Sequence, residues 1–293
     1  MCSVDAPRPY RGIMSKPNSP PTSRATSRLG WLGGLSPQRR IPVAVLALVV
    51  TAAAIVAVVA AVRSGSASPA GYPPQDRPGP VLLVPGYGGQ TGSLSELAAQ
   101  IRSTGREATV VGMPGNGTGN LNADASVLNA AVTQALDGGA PSVDVIGYSA
   151  GGVVALLWAR QDDGAGKARR VITLGSPYHG TSIAAGAEGL APGACTVACQ
   201  QLVPGSSLLA GLDAAPVPAR PRWMSLWTTD DQVVMPPGSA RLPGAINVPI
   251  QSICPSEQIS HEQLPTNPVV TAIVLQAIGL SPLRPPTSAD CAA

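Results

Sequence analysis

Phenylalanine is absent from this chain of 293 residues, histidine occurs twice, and charged side chains make up only 12% of it. Each shortage narrows what the chain can be. The missing phenylalanine, together with arginine far outnumbering lysine, reads as a composition bias without mechanism. A formal net charge of +3, with much of the basic excess in the first forty positions, argues against a nucleic-acid partner for the remainder. Two histidines and the spacing of Cys195 and Cys199, followed only by the single Cys254 and Cys291, do not make a zinc site of usual geometry, so no metal is expected. Gly115-Asn116-Gly117-Thr118-Gly119 lacks the lysine and the spacing of a phosphate loop and reads as a flexible connection. What remains is 44% hydrophobic with 33 Gly and 31 Pro, compatible with one sizeable, loop-rich packed domain plus extras.

Residues 1–40 are rich in Pro, Ser and Arg and poor in large apolar side chains, and are expected to be a disordered tail. From Ile41 to Val62 runs a stretch of about 22 residues without a charge, long enough to cross a bilayer as a single helix. Seven basic residues precede it, from Arg8 to Arg40, against the single acid Asp5. The positive-inside rule then leaves the tail in the cytoplasm and everything after Val62 outside a bacterial cell membrane. A cleaved signal peptide is the rival reading, with Gly65-Ser66-Ala67 as a passable cleavage site. Its apolar region, however, usually spans only about 7 to 15 residues. Residues 63–79, with four prolines among Ser, Ala and Gly, read as a linker to the domain at 80–293. Four cysteines beyond the anchor suit an oxidising compartment, and Cys2 is left over on the inside. Cys195 and Cys199 are close enough in sequence to pair on one turn, which leaves Cys254 for Cys291.

The domain opens with Val81-Leu82-Leu83-Val84, a continuous apolar run of the kind buried on both faces of a parallel sheet. Ser93-Leu94-Ser95-Glu96 has the form of a capping box opening a helix to about Ser103, with Gly105 as its stop. Strands over 107–111, 143–146, 170–174, 222–227 and 245–250 then alternate with helices over 122–136, 153–160 and 268–278. Such alternation specifies a doubly wound, mostly parallel sheet of about six strands, with a ligand crevice at the strand carboxyl ends. The long segment 180–221 leaves such an end. Rich in Ala, Gly and Leu, it is expected to form a small cap.

One stretch organises the rest: Ser142-Val-Asp-Val-Ile-Gly-Tyr-Ser-Ala-Gly-Gly152, an apolar run ending in G-x-S-x-G centred on Ser149. Followed by an apolar helix, it reads as a nucleophile elbow, a sharp turn that exposes a serine at a strand tip. The N–H of Ala150, opening that helix, points where an oxyanion would form. A serine nucleophile needs a base. His261 lies after the last strand, downstream of the candidate acids Asp230 and Asp231 at the end of strand 222–227. His179 follows the strand right after the elbow and is expected to shape the cleft wall. The chain order serine, acid, histidine therefore selects His261. Asp162, Asp163 and Asp213 sit in linking segments and read as solvent-facing.

These residues resemble a known family, the small secreted bacterial lipases of the α/β-hydrolase fold, including minimal lipases and class 2 triacylglycerol lipases. The resemblance covers most of 80–279. It rests on Pro-Gly-Tyr-Gly-Gly at 85–89, Gly-Tyr-Ser-Ala-Gly-Gly at 147–152, Leu-Gly-Ser-Pro-Tyr-His-Gly-Thr at 174–181, Thr-Thr-Asp-Asp-Gln-Val-Val-Met-Pro at 228–236 and Ile-Ser-His at 259–261. Pro85 stands where many relatives have the histidine of a His-Gly pair. The resemblance implies hydrolysis of acyl esters, in lipids or small molecules, by Ser149, His261 and Asp231. It also implies oxyanion donors at Tyr87 and Ala150 and no cofactor. The chain is expected to act as a monomer. An acyltransferase or thioesterase uses the same constellation, and a non-catalytic envelope protein that keeps the fold for binding is the reading from a different class.

The topology is tested by alkaline phosphatase fused after Leu280, which is expected to be active, while a cytoplasmic reporter at the same point stays dark. A mature N-terminus near Ser68 would show a cleaved signal instead.

Overall fold

The structure, a computed structural model, describes residues 48–56, 71–190, 193–213, 215–217 and 219–291. The chain divides into two units, Met1–Ser68 and Pro69–Ala293. Of the first, 48–56 is helical with exposed side chains. No helix among the described residues is long and apolar enough to cross a membrane. The rest of the span expected at 41–62, with the tail at 1–40 and residues 63–70 of the linker, lies outside the described residues.

The second unit is built on six strands: β1 (Val81–Val84), β2 (Ala108–Val110), β3 (Val143–Tyr148), β4 (Ala168–Leu174), β5 (Arg222–Trp227) and β6 (Ile246–Pro249). They lie in the order β2-β1-β3-β4-β5-β6, and every neighbouring pair is parallel. Among the described residues, the α-helices of five or more residues that accompany them are α1 (Gly92–Ser103), α2 (Leu121–Asp137), α3 (Ala150–Gln161), α4 (Ser182–Leu190), α5 (Val197–Gln201), α6 (Ser207–Asp213) and α7 (Pro268–Ile278). Strand side chains alternate between the two faces of the sheet. Leu82, Val84, Val145 and Val171 pack against α2, α3 and the helices after β4, whereas Val81, Leu83, Ile146 and Ile172 pack against α1 and α7. The sheet is therefore covered on both sides, which explains why β1 reads as an unbroken hydrophobic run rather than as an alternation.

Helix ends follow their local chemistry where a suitable residue sits just outside the first turn. Asn120 accepts from the N–H of Asn122 ahead of α2, and Asn267 accepts from Val269 and Val270 ahead of α7, with Pro268 at the first helical position. The capping box expected at Ser93–Glu96 does not form. Thr91 is the residue preceding α1 and makes no side-chain cap hydrogen bond. The backbone is already helical at Gly92, which puts Ser93 inside the first turn, where a capping geometry is no longer available.

The amino-terminal edge of the sheet is fastened by charge. Asp144, fully buried on β3, receives Arg169 through Nε at 3.0 Å and Nη2 at 2.5 Å, and Arg106 through Nη1 at 2.8 Å. Both arginines also reach main-chain carbonyls: Arg169 those of Gln75, Ile278 and Gly279, Arg106 those of Gly79 and Ile278. Arg170 adds Ala277 and Ser281 at 2.7 Å. Three cations thus converge on the carboxyl end of α7, where the helix dipole and unpaired carbonyls favour positive charge.

The four described cysteines pair as the spacing suggests, Cys195 with Cys199 and Cys254 with Cys291, at Cα separations of 5.2 and 5.6 Å.

Two stability predictions follow from this frame. Asp144→Ala is expected to cost about 3–5 kcal/mol in denaturant unfolding, because it strands the buried guanidinium of Arg169 and the partly buried one of Arg106; a loss below about 1 kcal/mol would show the cluster to be solvated. Breaking Cys254–Cys291, which spans 37 residues, is expected to cost about 4 kcal/mol, against about 2 for Cys195–Cys199, which spans 4. Paired Cys→Ser variants compared by thermal and denaturant unfolding check the ranking.

Candidate active site

The strand order reverses between β1 and β3, and the crevice at such a switch point opens where both strands end. Pro85–Gly89 leaves β1 there, and Ser149 leaves β3. Ser149 takes φ 53° and ψ −126°, a conformation that a residue with a Cβ adopts only when its surroundings impose it. The surroundings here are backbone. Ser149 N–H donates to Leu174 O at the end of β4 at 2.8 Å, and its carbonyl accepts from Gly152 N–H at 3.0 Å.

The neighbouring glycines are required by space. A Cβ on Gly147 would stand 2.6 Å from Gly152 Cα, and one on Gly151 would stand 2.2 Å from Val84 O. Strand, turn and helix are therefore folded so tightly that no side chain fits between them. Gly86 is pressed against the serine itself, its hypothetical Cβ lying 2.8 Å from Ser149 Cβ. The residue after it is Tyr87, and Ala150 is the first residue of α3, so the Ala150 N–H has no partner within its own helix.

His261 is 3% exposed and Asp231 2%. His261 Nδ1 lies 2.7 Å from Asp231 Oδ2. Asp231 Oδ1 accepts from the N–H groups of Val233 and Val234 at 2.8 and 2.7 Å, so the carboxylate is held from both sides. The adjacent Asp230 is exposed and accepts from Gln251 Nε2 at 3.2 Å. The ring of His261 abuts Gly175, the residue after β4, where an added Cβ would come within 3.1 Å of Nδ1 and Cε1. It also packs on Tyr148, centroid to centroid 5.1 Å, and the Tyr148 hydroxyl donates to His261 O at 3.3 Å. The imidazole is thereby fixed beside the residue that precedes Ser149. Burial, and then the nearby Glu262 and Asp231, raise the Tyr148 hydroxyl well above the usual phenol range, so it stays a neutral donor. Sequence reasoning missed this support, although Tyr148 occupies a variable position within the serine motif.

His179 stands apart from this group. It is 40% exposed at its side chain, with Nδ1 3.0 Å from Asp213 Oδ1 and Nε2 3.0 Å from Arg241 O. Asp213 is exposed, as expected, and pairs with this histidine. Asp163 does face solvent, and Asp162 is partly covered. No group of His, Cys, Asp and Glu among the described residues is arranged to hold a metal ion.

No protein-family model matches the sequence, and no curated protein matches it closely. Solved structures do. Aspergillus fumigatus lipase B superposes with a TM-score of 0.58 at 20% identity over 74% of this chain. The mature form of Bacillus licheniformis lipase BlEst2 gives a TM-score of 0.58 at 18% identity over 72% of this chain and 96% of its own. The chain spans 56% of the length of the Aspergillus protein. At such identities the likeness concerns architecture, and together with the six-stranded parallel sheet it establishes that the chain has the α/β-hydrolase fold.

Proposed function

We propose that the chain is a serine hydrolase that cleaves carboxylic esters of acyl chains, of the lipase or esterase type. The observation that carries this reading is one juxtaposition. A serine in a strained turn at the sheet's switch point directly follows Tyr148, whose ring packs on a buried histidine with its Nδ1 held by a buried carboxylate. With Nδ1 engaged by Asp231, Nε2 is the nitrogen free to take the Ser149 proton as the hydroxyl attacks an ester carbonyl. The N–H groups of Tyr87 and Ala150 receive the charge that develops on the carbonyl oxygen; a single donor of this kind contributes about 10²–10³ in rate. The imidazolium then protonates the departing alcohol, leaving the acyl group on Ser149. Water, deprotonated by the same histidine, releases the acid and restores the hydroxyl. No cofactor enters this chemistry.

The minimal and class 2 lipases remain the subtype that the motifs favour, and a monomer tethered by 41–62 outside the cytoplasmic membrane remains the arrangement that the basic tail favours. Transfer of the acyl group to an alcohol needs the same residues, so the nature of the acceptor is the second reading.

Ser149→Ala and His261→Ala are expected to be folded and nearly inactive, since members of such a unit fail together. Asp231→Asn is expected to lower kcat on the order of 10⁴-fold by holding the wrong tautomer of His261, and Asp230→Asn to cost little. Hydrolysis of p-nitrophenyl esters of graded chain length, with and without an added alcohol, gives the acyl preference and the acceptor. Full activity of Ser149→Ala at unchanged melting temperature would remove the assignment, and the reverse ranking of the two aspartates would move the acid to Asp230.

A further inference from the structure

The proposed chemistry uses the backbone of Tyr87 and leaves its side chain without a duty. That side chain is 44% exposed, yet its hydroxyl is engaged: Thr196 Oγ1 donates to it at 3.2 Å, across 109 positions of sequence. Thr196 lies inside the small ring closed by Cys195–Cys199. The same threonine oxygen caps α5 by accepting from Cys199 N–H at 3.5 Å. One hydroxyl therefore accepts from the helix and donates to the tyrosine at the same time, as its donor and acceptor sites allow.

The ring itself is braced. Ala198 N–H donates to Thr118 O at 3.2 Å, and Gln201 accepts from Leu121 N–H at 2.8 Å and donates to Asn120 Oδ1 at 3.0 Å. The turn at 114–118 in turn presses on the loop after β1. A Cβ on Gly89 would meet Asn116 Cα at 2.8 Å, and one on Gly117 would meet Gly86 O at 3.3 Å. Gly86 abuts Ser149. Contacts thus run without a gap from the disulfide ring to the nucleophile, and the Tyr87 loop lies in their path.

Within that loop Gly89 N–H donates to Gly86 O at 3.1 Å, a single turn hydrogen bond that leaves the tyrosine side chain to be placed by its own contacts. Gly88 and Gly89 follow Tyr87 with φ of 86° and 62°, a region glycine leaves and enters at small cost. An oxyanion donor, by contrast, must be held at about 2.7–3.1 Å from the developing charge before the reaction begins. We propose that Thr196, fixed in the Cys195–Cys199 ring, is a positioning residue that holds the Tyr87 loop in register for oxyanion binding through the tyrosine hydroxyl. The inference rests on the serine-hydrolase reading above and on Tyr87 as a donor.

The test compares Thr196→Val, Thr196→Ser, Tyr87→Phe and the double variant Thr196→Val/Tyr87→Phe. The readouts are kcat and KM for p-nitrophenyl butyrate and the rate at which a fluorophosphonate labels Ser149. Thr196→Val and Tyr87→Phe are each expected to lower kcat and the labelling rate about three- to tenfold, the span of one neutral hydrogen bond, with KM nearly unchanged. Thr196→Ser restores both, and the double variant falls no further than either single one. Tyr87→Phe leaves the cap of α5 intact, so its loss reports the contact alone. Wild-type kcat in Tyr87→Phe, losses that multiply in the double variant, or a change confined to KM would overturn the inference while leaving Ser149 labelled. A wild-type chain that the fluorophosphonate does not label would overturn the hydrolase reading, and the inference with it.

Discussion

The position of Ser149 is set by crowding among three pieces of backbone: the end of β1, the end of β3 and the first turn of α3. Gly147 and Gly151 are the points where these pieces touch, and neither has room for a single added carbon. A backbone conformation that costs on the order of 1–3 kcal/mol persists only because this packing, with the hydrogen bond to Leu174, leaves no alternative. The buried faces of the sheet stabilise the turn in the same way, since relaxing it would lift α3 from Leu82, Val84 and Val145. The strain at the serine is thus maintained by the largest hydrophobic contacts in the domain.

The two ends of the sheet have opposite electrostatic characters, and each suits its task. At the amino end, Asp144 with Arg169 and Arg170 lies buried around the carboxyl terminus of α7, joined by the partly exposed Arg106, and these groups engage one another and main-chain carbonyls. Such a network fixes the geometry of the strands and offers no reactive group. At the carboxyl end, Asp231 and His261 form a buried hydrogen-bonded pair, and the His261 ring packs on Tyr148, the residue before Ser149. The segment after β4 adds a third layer. Ala184, Cys199, Leu202 and Leu209 join the same core as α2 and α3, so this insert is packed into the domain and also reaches the loop after β1 through Thr196.

Much of this was legible in the sequence because it depends on near neighbours. The serine motif, the apolar run before it and the apolar helix after it are one local pattern, and strand–helix alternation along the chain gave the parallel six-stranded sheet. β5 at Arg222–Trp227 and α7 at Pro268–Ile278 have the bounds that their residues specify, because each is framed by proline, glycine or a capping side chain. The cysteine pairing followed from spacing. The order of serine, acids and histidine along the chain pointed to His261 and to the end of β5.

Tertiary structure decided the rest, where the outcome turned on which distant groups meet. Asp230 and Asp231 are neighbours in sequence, yet one is exposed and the other buried against an imidazole thirty positions away, a difference fixed by how the chain leaves β5. The capping box at Ser93 failed because packing started α1 at Gly92, and no short motif encodes such a shift. Arg106, Arg169 and Arg170 read as ordinary charges until the end of α7 is brought over them. Tyr148 and Tyr87 acquire duties only from His261 and Thr196, which folding sets beside them. Sequence determines a pattern over a few residues, since sterics and hydrogen bonding there are local; the partners of a buried charge or a loop are chosen by the packing of the whole domain.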